Sequence, residues 1–277
     1  MDFKHAIVTG ASSQIGRFLL PRLQTAGFEM TAISRQAPIN KTWLQIDITK
    51  NILPTNISKS KILFHIAPLS LLPQLLANSN IKRVITFSST SRFSKTTSSD
   101  TKEQQIAAQL TEAETQVIDL CKRQQIAWTI FRPTLIYGCG IDKNVSFIAK
   151  FIRSFGFFPI VGNGMGLRQP VHADDLATAC IQAYNSSVTI NTAYNLSGGQ
   201  TLTYREMVEA IFHSLGKKPH IISIPLFVFK ILIRSIACLP KFSHLSTAMI
   251  TRINQNLCFD HTAAYNDFGY QPRVFNP

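Results

Sequence analysis

The opening sixteen residues constrain this chain more than any other feature. A short apolar run, Ala6-Ile7-Val8, leads into Thr9-Gly10-Ala11-Ser12-Ser13-Gln14-Ile15-Gly16 and then Arg17-Phe18-Leu19-Leu20. The pattern predicts a first β-strand, a tight turn of small residues and the start of an amphipathic helix. Such a turn aims free backbone N–H groups and the positive end of a helix dipole at an anion. The anion that this geometry commonly holds is the pyrophosphate of a dinucleotide. Gly10 suits the sharp bend and Gly16 the close packing of helix on strand. Ser13 stands where a middle glycine would let the backbone approach phosphate, and its hydroxyl offers a hydrogen bond in exchange. A plain strand–helix turn without a ligand is the competing reading.

The rest of the first half repeats the same alternation at βαβ spacing. Strands are expected near 5–9, 29–33, 43–46, 61–66, 83–87 and 127–131, with helices near 15–26 and 101–124. Ser99 or Asp100 can cap the long helix, and Ile106, Leu110, Ala113, Val117 and Leu120 form its apolar face. Strands interleaved this regularly imply an α/β fold with a parallel, doubly wound sheet, which binds ligands beyond the carboxyl ends of its strands. The Ser/Thr-rich stretch 88–101 reads as a loop over that edge. After about residue 138 the texture changes. Helices at 174–185 and 203–215, a strand near 193–196 and a tail from 217 suggest a smaller C-terminal lobe that closes over the sheet.

At 277 residues, 45% of them hydrophobic, the chain can bury a sizeable core. Five cysteines without a C-x-x-C pair point to reduced thiols of a cytosolic protein, with no disulfide framework and no metal site. No signal peptide is read before the first strand. The net charge of +13 fits nucleotide phosphates, an anionic membrane surface or nucleic acid. Nucleic acid is the weakest of these, because the basic residues are dispersed and lack aromatic interleaving. Residues 221–239 are the most apolar stretch, but Pro225, Lys230 and Arg234 leave it too short to span a bilayer. It reads either as a core-facing helix of the second lobe or as a helix lying on a membrane surface.

Laid out in order, these segments resemble the extended short-chain dehydrogenase/reductases, the NAD-dependent epimerase/dehydratase family. The likeness rests on Thr9-Gly10 through Gly16, Asp47, His65-Ile66-Ala67, Ser88-Ser89-Thr90, Arg132-Pro133-Thr134-Leu135-Ile136-Tyr137-Gly138, Gln169 through Ala177, and Tyr194 through Gly199. It implies a Rossmann-type domain over 1–138 plus about 172–197, and a substrate lobe over about 139–171 plus 198–277.

The resemblance also implies roles. Gly10, Ser13 and Gly16 would line the pyrophosphate, with Ser12, Gln14 and Ile15 also in the cofactor site. Asp47 and Ile48 would sit against adenine, Ala67 would border the nicotinamide ribose, and Ser88 and Pro133 would complete the cofactor site. Strand two ends in Ser34-Arg35 without an acidic residue to accept from a ribose 2′-hydroxyl, so NADP(H) is favoured over NAD(H). Arg168 and His172 would contact substrate, although His172 and Asp175 fit helix capping equally well.

In this family a tyrosine, with a lysine four positions later on the long helix and a serine or threonine after strand five, moves the substrate proton. Thr90 and its neighbour Ser89 fit the last role. The pair itself is missing: Ile106 and Leu110 take its place, and the first tyrosine of the chain is Tyr137. Tyr137 is the nearest substitute, although the family also has a structural tyrosine there. Lys95, Lys102 and Glu103 are weaker substitutes.

Two functions follow as expectations. One is an NAD(P)-dependent oxidoreductase, epimerase, dehydratase or ketoreductase acting on a nucleotide-activated or lipid-linked sugar through unusual acid–base groups. The other is an inactive NADP(H)-binding sensor or assembly protein. The expected setting is cytoplasmic, with contact to the inner membrane face through 221–239, and a homodimer is ordinary for such proteins.

Overall fold

The computed structural model describes residues 4–37, 42–50, 60–77, 79–225, 227 and 252–277. Most of the apolar stretch 221–239 therefore lies outside the described residues. Its described beginning, Ile221–Ile224, is a strand and not part of a helix.

In chain order the first half contains β1 (Lys4–Thr9), α1 (Gln14–Thr25), β2 (Phe28–Ser34), β3 (Trp43–Gln45), β4 (Ile62–His65), α2 (Leu72–Leu76), β5 (Arg83–Phe87), α3 (Ser91–Ser94), α4 (Thr101–Gln124) and β6 (Ala127–Pro133). The second half adds β7 (Ile136–Tyr137), α5 (Val145–Phe155), β8 (Phe158–Val161), β9 (Leu167–Arg168), β10 (Val171–His172), α6 (Ala173–Asn185), β11 (Thr192–Leu196), β12 (Leu202–Thr203), α7 (Tyr204–Ser214), β13 (Ile221–Ile224) and α8 (Thr262–Phe268).

Seven strands form one sheet in the order β11-β6-β5-β4-β1-β2-β3, and every pairing in it is parallel. Parallel strands are covered on both faces, which explains apolar runs such as Ala6-Ile7-Val8 and Val84-Ile85 in place of alternation. One face packs against α1, α6 and α8 through Leu19, Leu23, Leu176, Ala179 and Phe268. The other packs against α2 and α4 through Leu72, Leu76, Val117 and Cys121. A third cluster joins α5, β8 and α7 through Ile148, Ile152, Ile160, Met207 and Ile211.

Local signals set the helix ends. Asp100 accepts from the Lys102 amide at 2.9 Å and caps α4, whose C-terminal end turns at Gln125 in a left-handed conformation. Thr203 and Glu206 make a reciprocal capping box at the start of α7. One expectation needs correcting. The buried stripe of α4 runs through Glu103, Ala107, Ala113, Glu114, Val117 and Cys121, while Ile106 is 40% exposed. Glu103 and Glu114 lie eleven residues apart, about three helical turns, and so share that face.

The chain order reverses at β1, which has β2 on one side and β4 on the other. A crevice opens at such a reversal beyond the strands' carboxyl ends. Here it is floored by the turn after β1 and the turn after β4.

Candidate active site

The two turns touch through their backbones. Gly10 has φ +71, and a Cβ there would lie 2.7 Å from the Ala67 amide nitrogen and 2.8 Å from the Ile66 carbonyl carbon. Any side chain would push the turns apart, so glycine is required on both conformational and steric grounds. Ser13 caps α1: its hydroxyl accepts from the Gly16 amide at 3.1 Å. That bond leaves the Ser13 O–H as a donor for whatever lies over the turn.

Two cavities meet over this saddle. The first, about 340 Å³, is lined by Gly10, Ser12, Ser13, Ser34, Arg35, Asp47, Ile48 and Ala67, among others. Asp47 accepts from the Thr49 amide at 3.1 Å and the Thr49 hydroxyl at 2.7 Å. Those bonds hold its carboxyl below the usual carboxylate range, with Lys50 and Arg35 assisting. The second cavity, about 450 Å³, is lined by Ser13, Gln14, Ile15, Ala67, Ser88, Ile106, Leu110 and Pro133, among others. Ser13, Ile66, Ala67 and Pro68 belong to both walls, so the two form one trough. Gly16 sits behind it, packed on Ala11 at the start of α1.

The two halves differ in character. The first presents Arg35, Asp47 and hydroxyls. The second is mostly hydrocarbon, with Ile106 and Leu110 on one wall. In that half the Ser88 hydroxyl oxygen and the Gln14 side-chain oxygen are buried with no hydrogen-bond partner. Buried polar atoms without partners are uncommon, and here both belong to residues that border a cavity.

His65 supports the saddle from beneath. It is fully buried, with Nδ1 2.7 Å from the Thr9 hydroxyl and Nε2 3.0 Å from the Pro68 carbonyl. Burial pushes its pKa down to about 4, so the ring is neutral at pH 7.

The other candidates sit elsewhere. Thr90 is buried and its hydroxyl donates to the Pro133 carbonyl at 3.1 Å. Ser89 accepts from the Ser91 amide at 3.1 Å. Neither lines the trough. Tyr137 is buried in the third cluster, its hydroxyl accepting from the Asn276 amide at 3.1 Å, and burial raises its pKa. His172 caps α6 by accepting from the Asp174 amide at 3.1 Å and packs edge-on against Tyr137. Those two border a separate cavity of about 270 Å³. The Arg168 guanidinium is buried and donates to the carbonyls of Leu167, Gln255 and Arg252. Desolvation lowers its pKa to about 10, so it stays charged at neutral pH.

Three ion networks escaped the reading of the sequence. Glu114 is held by Arg92 and Arg132, which also flank the Phe93 ring. Glu103 is held by Lys95, Arg252 and the Ser98 hydroxyl, which braces the 88–100 loop against residue 252. Arg273 bridges Asp174 and Asp175, and Asp174 also meets Arg22. The eleven-residue spacing of Glu103 and Glu114 was the available signal for the first two.

Among the described residues no cluster of His, Cys, Asp or Glu could hold a metal ion, and no helix is long and apolar enough to cross a membrane.

Comparison with known proteins agrees with this architecture. Residues 66–197 match the sequence profile of the NAD dependent epimerase/dehydratase family. An uncharacterized protein of Sinorhizobium fredii is 29% identical over 161 residues, which is 57% of this chain and 40% of the relative. UDP-glucose 4-epimerase of Vibrio cholerae is 23% identical over 120 residues, 43% of this chain and 37% of the relative. These alignments span less than half the length of either curated relative. Among solved structures, UDP-glucuronic acid 4-epimerase of Bacillus cereus in complex with NAD superposes with a TM-score of 0.73. It is 15% identical, and the match covers 98% of this chain and 94% of that one. Residues 66–197 thus carry the sequence profile of the NAD dependent epimerase/dehydratase family, and the chain as a whole shares the fold of that solved epimerase.

Proposed function

We propose that the trough holds NADP(H), and that the protein acts there on a nucleotide-activated or lipid-linked sugar without the usual tyrosine–lysine relay. The observation that carries this reading is the trough itself. A backbone saddle at Gly10 and Ala67 joins a polar half to an apolar half, and the apolar half has two unpartnered polar oxygens on its border. The fit with a dinucleotide is good. The Ser12–Gln14 turn at the head of α1 suits a pyrophosphate, with the Ser13 O–H as an added donor. Ser34 and Arg35 suit a ribose 2′-phosphate, since no carboxylate stands at the end of β2 to oppose it. Asp47 and Ile48 suit the adenine.

When bound, the nicotinamide supplies a hydride donor or acceptor. The chain's own residues do the rest. Ile106 and Leu110 present hydrocarbon, with no proton donor or acceptor, on their side of the cavity. Ser88 and Gln14 orient a hydroxyl or amide of a bound molecule. Thr90 fixes the Ser88–Pro133 wall from behind through the Pro133 carbonyl. Arg168 and His172, on the 167–172 segment, border the substrate side of the lobe, and their present bonds set the shape of that segment.

The test is NADPH oxidation with a panel of 4-keto nucleotide sugars and lipid-linked sugars. Turnover that falls with Ser88→Ala is the expected result. NADPH binding without turnover on any of them would favour a cofactor-holding protein, a reading that the Ile106–Leu110 wall also supports. Absence of nicotinamide nucleotide binding in calorimetry would overturn both.

A further inference from the structure

Helix α5 has a broad apolar face, and only part of it is buried in the protein. Val145, Ile148 and Ile152 are buried in the third cluster. Along one flank of that face lie Phe147, Phe151 and Phe155, four residues apart and, at about 100° per residue, within roughly 80° of one another; Phe151 is half-buried and also packs on Phe158 of the third cluster. Phe147 is 56% exposed and Phe155 62% exposed. Their rings form a chain, with centroids 6.4 Å apart for Phe147–Phe151 and 4.6 Å for Phe151–Phe155. Phe157 extends it, 5.7 Å from Phe151 and 6.1 Å from the His220 ring beside β13. Exposed aromatic rings gathered on one helix face mark an interaction surface.

The charge around this stripe has one sign. From Lys143 to Ala173 the chain contains no aspartate or glutamate, and from Ala210 to Phe259 it contains none either. The pairing of β8 with β13 brings these two acid-free stretches together beside α5. Lys150 is exposed on the helix about 60° from Phe147, whereas the exposed Arg153 lies about 120° or more from each ring and borders the cavity beside Tyr137. Lys217 reaches the α5 backbone, its Nζ donating to the Ile152 carbonyl at 3.3 Å. Among the described residues none of these three joins a salt bridge. Cations left unpaired beside exposed phenylalanines suit a surface that is apolar within and anionic at its border.

We propose that the Phe147–Phe155 flank of α5 docks on an anionic lipid bilayer, these two rings entering the headgroup boundary over Phe151 while Lys150 and Lys217 meet lipid phosphates. The charge pattern separates a bilayer from a second copy of this chain: a symmetric pairing through α5 would place these cations against like charges. The face lies outside the trough, so the docking does not depend on turnover.

The experiment is co-sedimentation with extruded vesicles of phosphatidylcholine, alone or with about one third phosphatidylglycerol. The expected result is binding to the anionic vesicles, weak binding to the neutral ones, and release at about 0.5 M salt. Phe147→Ser with Phe155→Ser should lower the partition coefficient about tenfold or more. Lys150→Glu should remove most of the preference for anionic lipid, and Arg153→Glu, on the far side of the helix, should change it less. These variants should keep the parent's thermal midpoint and NADPH affinity. Equal binding of parent and phenylalanine variant, or no binding to anionic vesicles, would overturn the proposal. So would a large drop in the variant's thermal midpoint, which would make the stripe a contact of the chain with itself. Vesicle-independent dimerisation abolished by the phenylalanine substitutions would assign the face to a second copy instead.

Discussion

The two halves of the trough share a floor but not a chemistry. On the Arg35–Asp47 side, polar groups border the cavity, and the Asp47 carboxylate is held in place by Thr49. On the Ser88 side, α4 contributes the hydrocarbon of Ile106 and Leu110. Holding a dinucleotide and moving a proton beside it are separate demands. On the proposed reading the backbone would meet the first through Gly10, Ser13 and the start of α1. Side chains on a different helix must meet the second. A chain can therefore keep one half while the other changes.

The largest effect should come from the shared floor. Gly10→Val places a side chain against the Ala67 amide and strains a positive φ. A loss of about 3 kcal/mol or more, or no soluble protein, is expected, and any folded remainder should not bind NADPH. Parent-like affinity in calorimetry would break the view that both halves hang on this contact.

His65 tests the same floor through pH. Its folded pKa of about 4 lies below the ordinary value of 6.5, so the unfolded chain binds the proton more readily. Its contribution is intact above pH 6.5 and is lost as pH falls towards 4, by at most about 3 kcal/mol. Urea denaturation at pH 7 and pH 4.5 should show this loss in the parent and less of it in His65→Asn.

A third substitution sharpens the contrast directly. Ile106→Tyr with Leu110→Lys puts an acid–base pair on the apolar wall. If only the relay is missing, turnover of a suitable keto sugar should rise about a hundredfold, while NADPH affinity changes little. No change in turnover would mean that the two halves differ by more than this pair.

Smaller effects should separate the ends. Arg35→Ala should weaken NADPH about tenfold and leave NADH nearly unchanged, measured by calorimetry with each nucleotide. Thr90→Ala should cost about 1 kcal/mol in denaturation through its lost bond to Pro133, while Ser88→Ala should act on turnover.

The first half of the fold was legible because buried parallel strands announce themselves as apolar runs between glycine-marked turns. Short elements were not. Two-residue strands such as β7, β9, β10 and β12 have no period to detect. Helix α5 was missed because it is only eleven residues long and Asn144 starts it without a side-chain cap bond, so no capping signal marks it off from the glycine-marked loops around it. Ile221–Ile224 reads as part of an apolar helix until its branched run, closed by Pro225, is seen pairing with β8. In the site, the residues around the glycine turn were readable because backbone geometry demands particular residue types. Ile106 was misplaced because a helical stripe does not distinguish a core from a cleft. Glu103, read only as a weak substitute for the relay, and the unread Glu114 prove to be buried ion-pair centres, which the sequence hid because their arginine partners come from other segments.

The touch between Gly10 and Ala67 also bears on redesign. Main-chain atoms alone shape the ridge there, so recruiting a bulkier or smaller ligand by swapping neighbouring side chains would leave its curvature untouched. A ligand that filled both halves would bend over that ridge, and variants selected for new chemistry would be expected to vary the walls and inherit the crease.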